Sequence, residues 1–168
     1  MGKKKHEKGA GSTPATVQLE QAGISFKTYE YTHSNDHMDD GYGIEAATKL
    51  GFDEHQVFKT LMADTGSERV VGVVPVSGHM DLKTLAAAVG AKKASMADPK
   101  VAMRESGYVV GGISPLGQRT HHKTVLDESA LQYSEILLSG GKRGFSIGIN
   151  PNDLLKVLDG VAAPIGTR

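Results

Sequence analysis

The chain contains no cysteine. That single absence removes disulfide bonds, thiolate zinc sites and a cysteine nucleophile supplied by the protein. It suits a reducing cytoplasm, which is the expected location. Net charge is also missing: 19 Lys and Arg balance 19 Asp and Glu. A neutral chain has no global field to draw in a polyanion. No apolar run is long enough to span a bilayer, so no membrane partner is expected. The first residues, MGKKKHEKGAGS, lack the apolar stretch of a secretory signal. They read as a flexible basic tail over residues 1–12, followed by one domain over 13–168.

Several chemical signatures are absent too. The Ser139–Gly144 motif contains no Gly-x-Ser-x-Gly elbow, so Ser139 is not read as a hydrolase nucleophile, and the chain shows no Walker-type Gly-Lys-Ser/Thr ending, no dinucleotide fingerprint and no triad. No repeat and no interdomain linker interrupts the chain. His33, His37, Asp39 and Asp40 lie in a polar loop without the rigid spacing of metal ligands, and a solvated acidic loop is the better reading. His121 and His122 sit in another loop and earn no stronger reading. No metal and no cofactor are expected.

The charges that are present are unevenly placed. Glu30 to Glu54 holds seven acidic residues and one lysine, whereas Asp81 to Lys123 holds seven Lys/Arg and three acids. These are either two solvated surfaces or an acidic face and a basic face.

Helix signals recur. Thr13-Pro14, Asp81, Asp98-Pro99 and Asn150-Pro151 each put a capping side chain at or just before a helix start, and Gly23, Gly51, Gly90 and Gly107 supply stops. Helices are expected near 14–22, 44–50, 82–89, 99–106 and 152–158. Strands are expected at 24–32, 58–63, 69–76, 108–110, 124–127, 135–138 and 145–149, with a hairpin joining the second and third. Ser139-Gly-Gly-Lys-Arg-Gly144 reads as a turn. Hairpins interspersed with helices, without regular βαβ units, predict an α+β fold with a mixed, strongly curved, barrel-like sheet surrounded by helices.

Three features carry candidate chemistry. Lys59 sits among apolar neighbours in Val57-Phe-Lys-Thr-Leu61. It is either a cation aimed into a cleft or a surface lysine on an amphipathic strand. Gly111 and Gly112, in Gly107-Tyr-Val-Val-Gly-Gly-Ile-Ser-Pro-Leu-Gly117, offer backbone N–H groups with no side chain in the way. They bind an oxyanion, or they serve only a turn or bulge. Lys142 and Arg143 meet a phosphate backbone or stand exposed on a hairpin.

The order of these motifs resembles the YbaK family of aminoacyl-tRNA deacylases, relatives of the editing domain inserted in bacterial prolyl-tRNA synthetases. The matching pieces are Val57-Phe-Lys-Thr-Leu61, Gly72-Val-Val-Pro-Val-Ser77, Asp81-Leu-Lys-Thr-Leu85, Gly90-Ala-Lys-Lys93, the Gly107–Gly117 segment, Ser139–Gly144 and Pro151-Asn-Asp-Leu154. They run in family order over about residues 13 to 160. The resemblance is strongest to the Cys-tRNA(Pro) deacylase branch.

The resemblance implies that residues 13–168 form one deacylase domain of the YbaK/prolyl-tRNA synthetase-associated type. The 3′ end of an aminoacyl-tRNA would enter its cleft, with prolyl-tRNA synthetase as a partner. Lys59 takes the place of the family's essential lysine, with Gly111 and Gly112 as donors to the carbonyl oxygen. Tyr31, Phe26, Ile113, Ser114 and Ser139 fall on pocket-lining motifs. Lys92, Lys93, Lys142 and Arg143 would contact tRNA phosphates. Where relatives tend to carry an aspartate, this chain has Ser146. In that branch the substrate's own cysteine thiol attacks its ester, which explains the missing protein nucleophile. An alanyl-specific deacylase using water and a non-catalytic tRNA- or synthetase-binding module stay open as alternatives.

Overall fold

The computed structural model describes residues 12–32 and 42–167. The expected tail up to residue 11 and the His33/His37 loop, His33 to Asp40 included, therefore lie outside the described residues.

Helix α1 (Pro14–Gln21) begins with a capping box, in which Thr13 and Thr16 satisfy each other's backbone N–H groups. Strand β1 is Lys27–Glu30, and α2 is Tyr42–Leu50. The hairpin β2 (Phe58–Asp64) and β3 (Arg69–Pro75) follows. After β4 (His79–Met80), Asp81 caps α3 (Leu82–Ala88). Strand β5 (Ser95–Met96) leads to α4 (Pro99–Ser106), capped by Asp98 and closed at Gly107. Strand β6 (Lys123–Asp127) and a 3₁₀ turn, Glu128–Gln132, precede the hairpin β7 (Ile136–Lys142) and β8 (Phe145–Ile149). Helix α5 is Pro151–Leu158, and β9 (Val161–Ala163) and β10 (Gly166–Thr167) end the described chain.

The strands form three sheets, in the orders β1-β8-β7, β10-β4 and β5-β2-β3-β6-β9. The five-stranded sheet is mixed: β3, β6 and β9 run parallel, while β2 is antiparallel to both of its neighbours. The α+β expectation is met, but the strands do not close into a barrel. The two larger sheets touch through one parallel bridge, Val57 to Leu137. They face each other across the main core, where Phe58, Met62, Val71 and Val73 of one meet Ile136, Leu138, Ile147 and Ile149 of the other. Leu85 of α3 covers the opposite face of the larger sheet with Val70, Val74 and Ile165. Ala47 of α2 packs on Val57, Val76 and Leu137 beside the bridge.

Two local expectations are corrected. Residues 108–110 do not form a strand: Val109 and Val110 are exposed, and Gly112 N–H donates to Val109 C=O in a turn. Residues 139–144 are not one long turn. Strand β7 continues to Lys142 through a bulge after Ser139, leaving only Arg143 and Gly144 to reverse the chain.

Candidate functional site

Strand β2 has an open edge. Val76 N–H donates to Val57 C=O, so alternation along the ladder gives Lys59 and Leu61 to β3 and turns the backbone groups of Thr60 and Met62 the other way. On that other side, Leu137 N–H reaches Gln56 C=O at one end and Ala97 N–H reaches Met62 C=O at the other. Between these two bonds no strand among the described residues pairs with the edge. A cavity of about 320 Å³ lies along this gap.

The cavity brings together Lys59, Tyr31, Gly111, Ile113, Ser139 and Lys142 of the sequence-expected set. Ser146 also lines it, whereas no Asp or Glu does among the described residues. The Lys59 ammonium is half-buried, and burial lowers its pKa from 10.5. Among the described residues no hydrogen bond or ion pair reaches it. The low dielectric strengthens its attraction for an incoming anion. Burial likewise raises the Tyr31 phenol above its usual range, so this hydroxyl stays neutral and able to donate. Ser139 Oγ accepts from Gly141 N–H at 3.1 Å and keeps its own proton for a ligand.

The two glycines divide their roles. Gly111, at φ 91°, occupies the position of a type II turn that requires a positive φ. Its N–H has no partner among the described residues, and the residue lines the cavity. Gly112 does not line it, and its N–H is consumed by Val109 C=O at 2.9 Å. Its missing side chain serves packing: a Cβ there would stand 2.8 Å from Lys142 Cα and 3.0 Å from Arg143 N. The expected pair of donors is therefore reduced to one.

Arg143 does something the sequence did not suggest. Its Nε and Nη2 both donate to Val110 C=O, at 2.9 and 2.7 Å. In a trans peptide the N–H points opposite to the C=O. The grip on Val110 oxygen therefore fixes the direction of Gly111 N–H. Lys142 sits over the Phe145 ring, 5.7 Å from its centre.

Phe26 and Ser114 do not line the cavity. Phe26 packs against the main core, and buried Ser114 uses its Oγ to accept from Leu116 N–H. Lys92 and Lys93 are exposed beyond α3 and also lie outside the cavity. Part of the basic segment is already engaged, since Lys123 pairs with Glu68 and Arg119 donates to Arg104 C=O. His122 is buried between Glu105 and Gln118. Among the described residues no group of three or more His, Asp or Glu could hold a metal ion, and no helix is long and apolar enough to cross a membrane.

Sequence reasoning missed Thr60. It sits beside Lys59 within the same motif, lines the cavity, and has a buried hydroxyl with no partner. The signal available was a hydroxyl next to a cation in an otherwise apolar strand.

A family model for the aminoacyl-tRNA editing domain matches residues 41–157. A protein of Enterococcus faecalis with the provisional name Cys-tRNA(Pro)/Cys-tRNA(Cys) deacylase EbsC is 38% identical over 171 residues, spanning all of this chain and 99% of its own. A solved structure described as a candidate trans-editing enzyme for prolyl tRNA synthetase superposes with a TM-score of 0.82 at 23% identity, over 96% of this chain and 100% of that one. The structure of hypothetical protein APE2540 does so with a TM-score of 0.81 at 20% identity, over 92% and 100%. At those identities the two structures speak for the fold alone. With the family model and the Enterococcus relative, the chain belongs to the aminoacyl-tRNA editing domain family, in agreement with the YbaK-type order of its motifs.

Proposed function

We propose that residues 13–168 act as one trans-editing deacylase domain that cleaves the ester of mischarged aminoacyl-tRNA, with Cys-tRNA(Pro) as the substrate. The observation that carries this reading is the pairing, on one cavity, of a desolvated lysine and a Gly111 N–H that both lack partners among the described residues, with no carboxylate among the described lining residues. Such a site suits an oxyanion that develops on an ester carbonyl. Among the described residues it contains no carboxylate to serve as general base, and the chain has no cysteine to serve as nucleophile.

The missing nucleophile is supplied by the cargo. The cysteine thiol loses its proton and its sulfur bonds to the ester carbonyl carbon. The bond from that carbon to the ribose oxygen breaks, and the ribose oxygen takes up a proton. The product is a four-membered thiolactone, which water then opens to cysteine. Holding thiol and carbonyl at attack distance removes orientational freedom ahead of the reaction, an effect worth several kcal/mol.

Gly111 N–H receives the carbonyl oxygen as charge builds, with Arg143 as its positioning residue. Lys59 anchors the terminal ribose or phosphate and stabilises the same charge. Tyr31 and Ser139 orient the aminoacyl end by hydrogen bonds. Lys92 and Lys93 touch tRNA phosphates without reading bases. The zero net charge leaves tRNA affinity weak, which suits delivery of the charged tRNA by prolyl-tRNA synthetase.

The test is release of free tRNA from Cys-tRNA(Pro) by a hundredth molar equivalent of protein. Many turnovers are expected. Binding without turnover would replace the enzyme by a module that only holds tRNA or the synthetase.

A further inference from the structure

Thr60 brings three polar groups to the cavity edge without partners. Its backbone N–H and C=O lie on the unpaired stretch of β2, and no hydrogen bond reaches them among the described residues. Its Oγ1 is the one buried side-chain N or O atom that lacks a partner among the described residues. A buried, unsatisfied hydroxyl destabilises a fold and calls for an explanation. Strand Thr60 has no local need for it, since valine matches its shape and has equal or better β-propensity. A turn of about 120° about χ1 carries Oγ1 to the position of one of the other two Cβ substituents, and Thr60 lines the cavity.

What this edge can recognise follows from what surrounds it. Among the described residues the lining holds two cations, Lys59 and Lys142, and no carboxylate, so a charged ammonium is poorly served here. A neutral amine is well served, because its N–H groups need acceptors, and Thr60 C=O and Oγ1 are two free ones. The α-amino group of an amino acid has a pKa of about 8 and is readily neutral near physiological pH. We infer that Thr60 recognises the unblocked α-amino group of the bound aminoacyl ester, so that the substrate class is free aminoacyl esters and not N-acylated or desamino ones. This inference rests on the deacylase reading and names the part of the substrate that Thr60 senses.

The experiment compares cysteinyl-tRNA(Pro) with 3-mercaptopropionyl-tRNA(Pro), which keeps thiol and ester and lacks the amine. Each rate is divided by the spontaneous rate of the same ester. Wild-type protein should prefer the cysteinyl ester by about tenfold or more in kcat/KM, the discrimination expected for a hydrogen-bonded polar group. Thr60→Val should lose most of that preference by slowing the cysteinyl ester alone, and Thr60→Ser should keep it. Because Thr60→Val removes an unsatisfied hydroxyl, it should also melt about 2–4 °C higher than wild type. Equal slowing of both esters, no change in either, or a lower melting temperature for Thr60→Val would overturn the assignment while leaving the deacylase reading intact. If wild-type protein turns over neither ester, both readings fall together.

Discussion

In the proposed mechanism Lys59 is the residue on which the chemistry turns, and its behaviour follows from its surroundings. It is half-buried with no counter-ion among the described residues, and burial lowers its pKa. Lys59→Ala should therefore cost little stability, less than about 1 kcal/mol, because no partner is left stranded. The same change should slow deacylation at least about 100-fold, the loss typical of a group that stabilises developing charge. Urea unfolding and initial rates on one preparation check both halves. The acting form is the ammonium, so kcat/KM should fall as pH rises through a pKa below 10.5, the ordinary lysine value. A rising limb from the substrate thiol, near pH 8.5, should precede that fall for the cysteinyl ester and be missing for the alanyl ester. The apolar neighbours of Lys59 alone left a surface lysine open, and it was the order of family motifs that pointed to this residue, which does line the cavity. The roles of Gly112 and Ser114 were not legible, because only the folded backbone shows whether an N–H or a hydroxyl is already engaged.

At the scale of elements, the Gly107–Gly117 loop and the β7–β8 hairpin work as one unit. Arg143 reaches back to Val110 C=O, and Gly112 lies flat against the backbone of Lys142 and Arg143. Gly112→Ala should push the loop off the hairpin, since the atoms it meets are backbone and cannot turn aside. A loss of about 1–3 kcal/mol in stability is expected, together with weakened catalysis. Arg143→Lys separates two roles. As a positioning residue it should lower kcat about tenfold with the salt dependence of tRNA binding unchanged. A contact to one phosphate would instead reduce the slope of log K against log salt by about 0.7–0.9.

Caps and glycine stops made the helices readable, as the bonds from Thr13, Asp81, Asp98 and Asn150 into their first turns confirm. The two- and three-residue strands β4, β5, β9 and β10 left no period to read. Val109 and Val110 misled for a related reason. β-branched residues favour strands in general, but these two had no neighbouring strand to pair with.

The whole molecule is tied together away from the cavity by Glu105. Arg69 of β3 reaches its carboxylate with Nη2 at 2.6 Å and Nε at 2.8 Å, and His122, just before β6, reaches it with Nε2 at 2.9 Å. The Arg69 hydrogen bond, followed by that of His122, pulls the Glu105 pKa from 4.5 to about 2. A carboxylate depressed in the folded state stabilises the fold above its unfolded pKa and loses that contribution as pH falls through the folded one. Thermal melts should therefore show stability lost between pH 4.5 and about 2. Glu105→Gln should flatten the curve in that window and lower stability at neutral pH by about 1–3 kcal/mol. Long-range assembly of this kind, with residues 69, 105 and 122 converging, was invisible in the sequence, where Arg69 read only as the start of a strand, Glu105 only as one acid in a basic segment and His122 only as a loop residue.

The central claim is that the cavity orients an ester whose own thiol attacks it. The most direct measurement compares single-turnover rates for tRNA(Pro) charged with cysteine, serine and alanine, each divided by its spontaneous rate. The account predicts that cysteinyl-tRNA(Pro) is cleaved sharply faster than the other two. Equal enhancement of all three would contradict it, and would assign the attack to water.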